Sequence, residues 1–488
     1  MTTAPLDVPT GRLPDGFALR LSRRTRAAAA GDGLLLVGGT AGTVLRLTPA
    51  AVARLGGAGG RGLVVRDAVD ATLARSLLDA GLADPVPGSG PLRLGEAVTV
   101  VVPAYDDADG VAVLLAALPP EVGVVVVDDA SPDALALRRV VAARPGAILL
   151  RHRANRGPAV ARNTGLAVVR TPAVCFCDAD VRPEGGDGGV WLRRLLAQLD
   201  DPRVGLVAPR ITAVAPGGGP EGGGREGWVA AYERDRSSLD LGDLPAGVRP
   251  GSAVSYLPSA CLVARTEAVR GGFDPDLRVA EDVDLVWRAV AAGWRARYDP
   301  EVAVAHRHRT ATGAWLRRKA YYGTGAALLA ARHGDAVAPA VVAPWSVALT
   351  VAVLAQRRWS PLAAAAVLAV TTHRIAGKVP AADHPHLVAA RLVGSGVRAT
   401  AHQTAGSITR HHWPVALAAC AVSRRARRVV VLAAVAEAVA DHRRTRATQD
   451  VVRHGLAHRL DDLAYGTGVW LGAWRARSPR ALLPRWTS

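Results

Sequence analysis

Between residues 95 and 320, short runs of β-branched residues alternate with stretches of helical length. Uninterrupted apolar runs of four to eight residues are typical of strands buried on both faces of a parallel sheet. The pattern predicts strands at 98–103, 122–129, 147–150 and 174–177, and helices at 111–118 and about 159–169. This order predicts a doubly wound α/β domain, in which ligands lie at the carboxyl ends of the strands.

The first 90 residues carry a different pattern. Residues 34–40 and 43–47 predict a hairpin, and Thr48-Pro49 predicts the start of a short helix. A second helix is predicted over 71–82, with Gly81 just past its end. This order resembles the small winged-helix-like domains of the pyrroloquinoline-quinone chaperone type, which bind leader peptides, and a generic α+β accessory domain is the alternative. Three prolines and two glycines over 85–91 predict a linker, so the first domain is placed at 15–90 and the second at 95–320.

Past residue 330 the chain is rich in alanine and other apolar residues. The uncharged run 336–355 has about the length that crosses a membrane, although it contains two prolines. A shorter apolar run covers 361–372, and an apolar helix is predicted over 429–440. The pattern predicts that a helical region, 330–488, inserts into a membrane or associates tightly with it. A soluble helical domain is the alternative.

The net charge points to an anionic partner. The chain has 60 Lys+Arg and 42 Asp+Glu, a formal charge of +18, which suits nucleic acid, a phosphorylated metabolite or an anionic membrane. Only 4% of the residues are aromatic and no basic stripe is interleaved with them, so we expect no nucleic-acid partner. Basic runs at 424–428 and 442–444 favour an anionic membrane face.

The termini and the cysteines bear on the compartment. The N-terminus shows no basic or apolar signal region, and four cysteines in 488 residues indicate a reducing compartment rather than a disulfide scaffold. We therefore expect a location at the cell membrane, with the 95–320 domain on the cytoplasmic side.

Polar motifs follow the first two predicted strands of the central domain. One strand leads into Pro103-Ala104-Tyr105, and the next ends in Asp128-Asp129. Adjacent carboxylates at a strand end repel each other unless they bind something, although Asp129 could also cap the following helix. Further on, the helix that Gly157-Pro158 opens would favour an anion at its N-terminus, and it carries Arg162 and Asn163 about one turn inside. These two side chains offer donors to a base or a phosphate, and an exposed, capped helix is the alternative.

Acidic residues and a histidine mark three further positions. Asp178-Ala179-Asp180 follows a buried strand, a spacing that lets Asp180, with or without Asp178, face a hard divalent cation. Glu281-Asp282 opens a helix, where acids favour the helix dipole or supply a general base for an alcohol. His306 ends a short apolar strand and is a candidate to complete a metal site.

Together these motifs resemble the family 2 glycosyltransferases with the GT-A fold, over about residues 97–310. The resemblance implies that Asp129 recognises the nucleotide base, that Asp180 and His306 bind Mg²⁺ or Mn²⁺ on the sugar-nucleotide diphosphate, and that Asp282 deprotonates the acceptor. Inversion at the anomeric carbon would follow from a single direct displacement. The residues implied to bind the nucleotide sugar are Pro103, Tyr105, Asp129, Arg162, Asn163, Asp178 and Glu281.

The whole chain, including its ending at 461–470, resembles the mycofactocin-system glycosyltransferases. That resemblance implies a hexose donor, UDP-glucose, and a peptide-derived acceptor that receives β-linked glucose units. The nearest approach to the Q-x-x-R-W motif of processive members is the sequence at 356–359, which is one residue short. The alternatives are an inactive scaffold that binds a modified peptide, and a family 2 transferase acting on a cell-envelope glycan.

Overall fold

The computed structural model describes residues 11–39, 43–56, 62–88, 93–183, 189–214, 227–307 and 311–487. Its N-terminal part consists of two three-stranded antiparallel sheets and two helices. The strands are β1 (Ala18–Leu21), β2 (Arg26–Ala30), β3 (Gly33–Gly38), β4 (Thr43–Leu47), β5 (Gly62–Val64) and β6 (Ala83–Val86), and the helices are α1 (Pro49–Arg54) and α2 (Ala68–Asp79). The sheets have the orders β5-β1-β6 and β2-β3-β4. Both contribute to one apolar core, which includes Leu19, Leu36 and Leu77.

The predicted N-terminal hairpin and both predicted helices are confirmed. Thr48 caps α1, because its side-chain oxygen accepts a hydrogen bond from the N–H of Ala51, and Gly81 has a φ of +67° just past α2. The predicted linker is wrong at its start, since Pro85 pairs with Leu19 inside the β1–β6 ladder. Position 40 of the hairpin and positions 89–91 of the linker lie outside the described residues. The winged-helix resemblance stays a prediction.

The central part is one mixed sheet with an apolar core on each face. Its strands are β7 (Val98–Ala104), β8 (Gly123–Asp128), β9 (Ile148–Arg151), β10 (Ala173–Cys177), β11 (Val181–Pro183), β12 (Val204–Ala213), β13 (Ala246–Val248), β14 (Cys261–Arg265) and β15 (Arg295–His306). Its helices are α3 (Leu94–Ala97), α4 (Ala108–Ala117), α5 (Ala134–Ala142), α6 (Pro158–Leu166), α7 (Val190–Ala197), α8 (Trp228–Asp235) and α9 (Glu281–Ala291). The strand order is β11-β15-β12-β14-β10-β7-β8-β9, and β13 pairs with β15.

The predicted alternation of strands and helices over 98–177 is confirmed. Strands β9, β8, β7 and β10 are parallel neighbours, as the apolar runs predicted. The sheet is not parallel throughout, because β14 runs antiparallel to both β10 and β12. The chain enters β14 through the loop 249–260, which follows the short strand β13.

The C-terminal part is helical. Its elements are α10 (Thr312–His333), β16 (Val341–Val342), α11 (Pro344–Leu354), α12 (Ser360–Ala376), α13 (Pro385–Gly406), α14 (Trp413–Val422), α15 (Arg424–Thr445), α16 (Val451–Arg475) and β17 (Arg485–Trp486). A π-helical turn, Ser407–His411, lies between α13 and α14. Helices α10 and α16 touch backbone to backbone, because a Cβ added to Gly323 would collide with the carbonyl of Tyr465. Helix α10 runs through 320–330, where the sequence pattern placed a domain boundary.

The apolar run 336–355 is not one helix. It contains the end of a 3₁₀ turn, the short strand β16 and then α11, which begins at Pro344. Proline fits the first position of a helix but interrupts its interior, which explains why the run is divided. Over the residues that the structure describes, no helix combines the length and the apolar character needed to cross a membrane.

Candidate active site

Three candidate ligands of a cation meet at the carboxyl end of β10. Asp178 and Asp180 follow this strand directly, and the pairing of Val181 in β11 with His306 in β15 brings the histidine alongside them. The Nε2 atom of His306 lies 3.2 Å from Oδ1 of Asp180. One ligand atom from each of the three residues lies within 4.8 Å of the others. The structure therefore brings together the D-x-D motif and the histidine that the sequence singled out, and their binding of a metal stays a prediction.

The electrostatics of this cluster suit a cation. Burial would raise the pKa of Asp180, but the contact with His306 outweighs it, and the net pKa lies below its usual range. Burial acts in the opposite direction on His306, and Asp180 again outweighs it, so the pKa of the imidazole is raised. Two carboxylates and one imidazole form a donor set that Mn²⁺ or Mg²⁺ accepts, with positions left for phosphate oxygens.

Arg162 connects this cluster to the acidic start of α9. Its buried guanidinium donates from Nη2 to Oδ1 of Asp178 over 2.6 Å and from Nη1 to Oε1 of Glu281 over 3.1 Å. It also lies over the ring of Phe273, 5.3 Å from the centroid. Burial lowers the pKa of Arg162, but the two carboxylates outweigh this effect and raise it. In these contacts Arg162 orients Asp178 and Glu281.

Asp282 is the candidate base, and its surroundings raise its pKa. Its Oδ1 accepts from the N–H of Val283 over 2.8 Å, and its Oδ2 from the N–H of Ser259 over 3.3 Å. Burial and then the negative charge of Glu281 raise the pKa of Asp282 to about 7, although Arg162 acts in the opposite direction. A carboxylate with a pKa near neutrality can accept a proton from an alcohol during a reaction.

Asp129 and Asn163 make internal bonds. The carboxylate of Asp129 accepts from the backbone N–H groups of Arg156 and Gly157, at 2.9 and 2.7 Å, and contacts His152. The amide of Asn163 forms two 2.7 Å bonds to the backbone of Phe273. Both side chains therefore shape the loops around α6, and their direct contact with a nucleotide stays a prediction.

The loops after β7 and β8 are tied together. Ser131 accepts a hydrogen bond from the N–H of Asp106 over 2.9 Å, and Asp128 accepts one from the N–H of Ser131 over 2.8 Å. Pro103 lies inside β7, whereas Tyr105, just past its end, is 53% exposed. The sequence interpretation gave no separate role to Asp128, although the doubled aspartate was a visible signal for it.

The sequence of the chain matches known families over most of its length. The model of the family "Glycosyl transferase family 2" matches residues 99–254, and that of "Glycosyl transferase family group 2" matches residues 190–376. Two pre-mycofactocin glycosyltransferases of Mycobacterium tuberculosis, from strains CDC 1551 / Oshkosh and ATCC 25618 / H37Rv, are each 44% identical over 483 residues, which is 97% of this chain and 98% of theirs. The chain belongs to the pre-mycofactocin glycosyltransferase family. It is a family 2 glycosyltransferase, and its α/β core is GT-A-like.

Similar solved structures are more distant from this glycosyltransferase. A mannosyltransferase from Pyrobaculum calidifontis in complex with GDP-Man and Mn²⁺ is 22% identical, covers 75% of this chain and 90% of its own, and has a TM-score of 0.38. S. aureus TarS in complex with UDP is 17% identical, covers 47% and 65%, and has a TM-score of 0.31. Both scores are too low to assign a ligand or a residue role.

The C-terminal helices of this glycosyltransferase reach its candidate active site, which the sequence interpretation missed. Burial raises the pKa of Tyr256, and nearby Asp282, Tyr322 of α10 and Tyr465 of α16 raise it further. Arg410 acts on the same hydroxyl in the opposite direction, and its guanidinium carbon lies 3.9 Å from the centroid of the Tyr465 ring. Groups from separate segments of the chain therefore lie in the neighbourhood of Tyr256, and the packing of α10 on α16 positions two of them.

A second acidic group lies deeper among the C-terminal helices. Glu437, His458 and Asp462 are buried, and each offers a possible ligand atom within 4.8 Å of the others. Arg459 lies among them, with Nη1 3.1 Å from Glu437 and Nη2 3.0 Å from Asp462. Burial lowers the pKa of His458 to about 2, so its imidazole is neutral. Because the guanidinium pairs with two of the three candidate ligands, we interpret this group as an internal ion-pair network.

Proposed function

We propose that the glycosyltransferase moves a hexose, glucose from UDP-glucose, onto a hydroxyl group of the peptide-derived pre-mycofactocin acceptor, with inversion at the anomeric carbon. The observation that carries this proposal is the arrangement of Asp178, Arg162 and Glu281, in which two hydrogen bonds join a candidate cation ligand to the residue that directly precedes the candidate base Asp282. Such an arrangement supports a direct displacement, because one group must act on each side of the anomeric carbon.

Each residue has a defined part in this reaction. Asp178, Asp180 and His306 would hold Mg²⁺ or Mn²⁺, which, when bound, neutralises charge that develops on the departing diphosphate. Asp282 accepts the proton of the acceptor hydroxyl. At the same time the oxygen of that hydroxyl bonds to the anomeric carbon, and the bond from this carbon to the diphosphate breaks. Arg318 on α10 adds positive charge: its Nε donates to the hydroxyl of Tyr322 over 2.9 Å, and Asp178 is among the groups that raise its pKa against the effect of burial.

The acceptor would approach from the side of the C-terminal helices. Tyr322 and Tyr465 act electrostatically on Tyr256, as Asp282 does, and these tyrosines would offer aromatic surface to a sugar or a modified peptide. The N-terminal part would bind the rest of the peptide-derived acceptor. A cleft of about 100 Å³ between this part and the central sheet, lined by Arg24, Arg249 and others, supports that role.

The proposal is tested with the purified full-length chain, a panel of UDP- and GDP-sugars, and the pre-mycofactocin acceptor. Transfer from UDP-glucose, dependent on Mn²⁺ or Mg²⁺ and giving a β-linked product by NMR, is expected. Asp282→Asn should abolish transfer while donor binding, measured by calorimetry, is retained. Normal turnover of this variant would exclude Asp282 as the base, and an α-linked product would exclude inversion. Arg24→Ala combined with Arg249→Ala should raise the acceptor KM and leave the donor KM unchanged.

A further inference from the structure

Two turns between helices lie side by side in the C-terminal part. The first joins α11 to α12 over 355–359, and the second joins α14 to α15 at Ser423. Gln356 in the first turn donates a hydrogen bond from Nε2 to the backbone oxygen of Arg425, just after the second, over 3.2 Å. This bond fixes the turns next to each other. We call residues 355–359 and 422–428 together the basic tip.

The basic tip carries six arginines and no acidic residue. All six are exposed: Arg357, Arg358, Arg424, Arg425, Arg427 and Arg428. Arg427 donates to the backbone oxygen of Cys420 over 2.7 Å, but within the described ranges none of the six is ion-paired with a carboxylate. Like charges held this close repel each other, so an anionic partner with several charges would stabilise the cluster.

Large apolar side chains are exposed among these arginines. Val422 is 88% exposed, Leu362 at the start of α12 is 76% exposed, and Trp359 is 52% exposed. The exposed face of α15 continues beyond the arginines with the apolar residues Val431, Leu432 and Val435. Arginines alone would suit any polyanion. Their mixture with tryptophan, leucine and valine suits the interface of an anionic bilayer, where guanidinium groups meet lipid phosphates and apolar side chains enter the acyl boundary.

We propose that the basic tip docks on the surface of an anionic lipid bilayer. The six arginines lie against the lipid headgroups, and Trp359, Leu362 and Val422 enter the interface. This docking does not depend on the sugar, the metal or the base proposed above, because none of the residues of the tip belongs to the candidate active site. The proposal names the surface through which the membrane association predicted from the basic runs would take place.

The test uses the full-length chain and sedimentation with vesicles of phosphatidylcholine, with or without about one third phosphatidylglycerol. Binding to the mixed vesicles, and little binding to phosphatidylcholine alone, is expected. Arg424→Gln combined with Arg425→Gln should weaken the binding roughly 25-fold, since each arginine at the surface contributes roughly fivefold. Trp359→Ala should weaken it roughly tenfold and do so equally at about 0.1 and 0.5 M salt. The matched control is Arg138→Gln with Arg139→Gln, an exposed pair on α5, which should bind as the native chain does.

Melting temperature and sugar transfer without vesicles show whether each variant is folded. If the double variant has a lower melting temperature than the native chain, Trp359→Ala and single arginine changes provide the same comparison. Native-like binding of the tip variants, or equal binding to both kinds of vesicle, would overturn the proposal. A third result would also overturn it: soluble polyphosphate displaces the native chain from the mixed vesicles, and Trp359→Ala does not change vesicle binding. The tip would then be a site for a soluble polyanion.

Discussion

The raised pKa of Asp282 leads to a quantitative prediction about the pH dependence of transfer. Its ordinary pKa of 3.8 is raised to about 7, first by burial and then by the charge of Glu281. A base must be ionised to accept a proton, so kcat/KM should rise with pH through 7 and level off above about 8. At pH 5 only about 1% of Asp282 would be ionised, and kcat/KM should fall roughly a hundredfold below its plateau.

Replacing Glu281 by glutamine tests the cause of the raised pKa of Asp282. Two unit charges about 4 Å apart at an effective dielectric constant of about 20 repel by roughly 4 kcal/mol, or roughly three pKa units, which is an upper limit for the partly solvated carboxylates of Glu281 and Asp282. Glu281→Gln also leaves Arg162 less neutralised, which lowers the pKa of Asp282 in the same direction. The midpoint of the acidic limb should therefore move down by about one unit or more.

The assay is initial-rate transfer from pH 4.5 to 9 at saturating metal, compared with Glu96→Gln, a carboxylate whose side chain is 76% exposed. The control should have the native profile. The same midpoint in Glu281→Gln and the native chain, or a native midpoint near 4, would refute the assignment of Asp282 as a base held near neutrality.

Three further predictions concern the cation ligands, the packing of helices and the buried charges. His306→Ala should raise the Mn²⁺ concentration for half-maximal binding at least tenfold, measured by calorimetry, and an unchanged value would remove His306 from the ligand set. Gly323→Ala should lower stability by about 1–3 kcal/mol in thermal unfolding, because its Cβ collides with the carbonyl of Tyr465, whereas Gly394→Ala, with open space around it, should leave stability equal or higher. Arg459→Met should lower the melting temperature more at pH 8 than at pH 5. Burial raises the pKa of Asp462 to about 6, so this carboxyl becomes neutral at the lower pH and no longer needs its partner. An equal loss of melting temperature at both pH values would contradict the ion-pair network.

The sequence predicted those parts of the fold that local patterns control. The strands β7, β8 and β10 are short, uninterrupted and apolar, and their ends carry the acidic motifs, so their parallel order and the position of Asp178 followed from local reasoning. The antiparallel insertion of β14 did not follow. Its residues form an apolar run like the others, and strand direction depends on the connection before it rather than on the strand's own composition.

The site was predictable where one motif sits on one loop, and it was not predictable where helices meet. The family resemblance implied that Asp180 and His306 share a metal site, and the pairing of β11 with β15 brings the two residues together. Arg410 and Tyr465 come from segments that carry no recognisable catalytic motif. Their position depends on the register of α16 against α10, which is fixed by Gly323 and Gly468 at a contact that single-sequence patterns do not reveal.

Helix α10 joins the C-terminal helices to the central domain. One end of its exposed face carries Arg318 and Tyr322, while Lys319, which is buried, lies 2.8 Å from Glu233 of α8 and 3.4 Å from Asp461 of α16. A chain that ended after α10 would leave Lys319 without Asp461 and would expose the groove around Gly323. Removing one partner of a buried ion pair typically costs about 3–5 kcal/mol, which is a large share of the stability of an ordinary domain. The residues that hold α10 in place therefore include residues far beyond the family 2 motifs, and the folded unit around the candidate active site extends to α16.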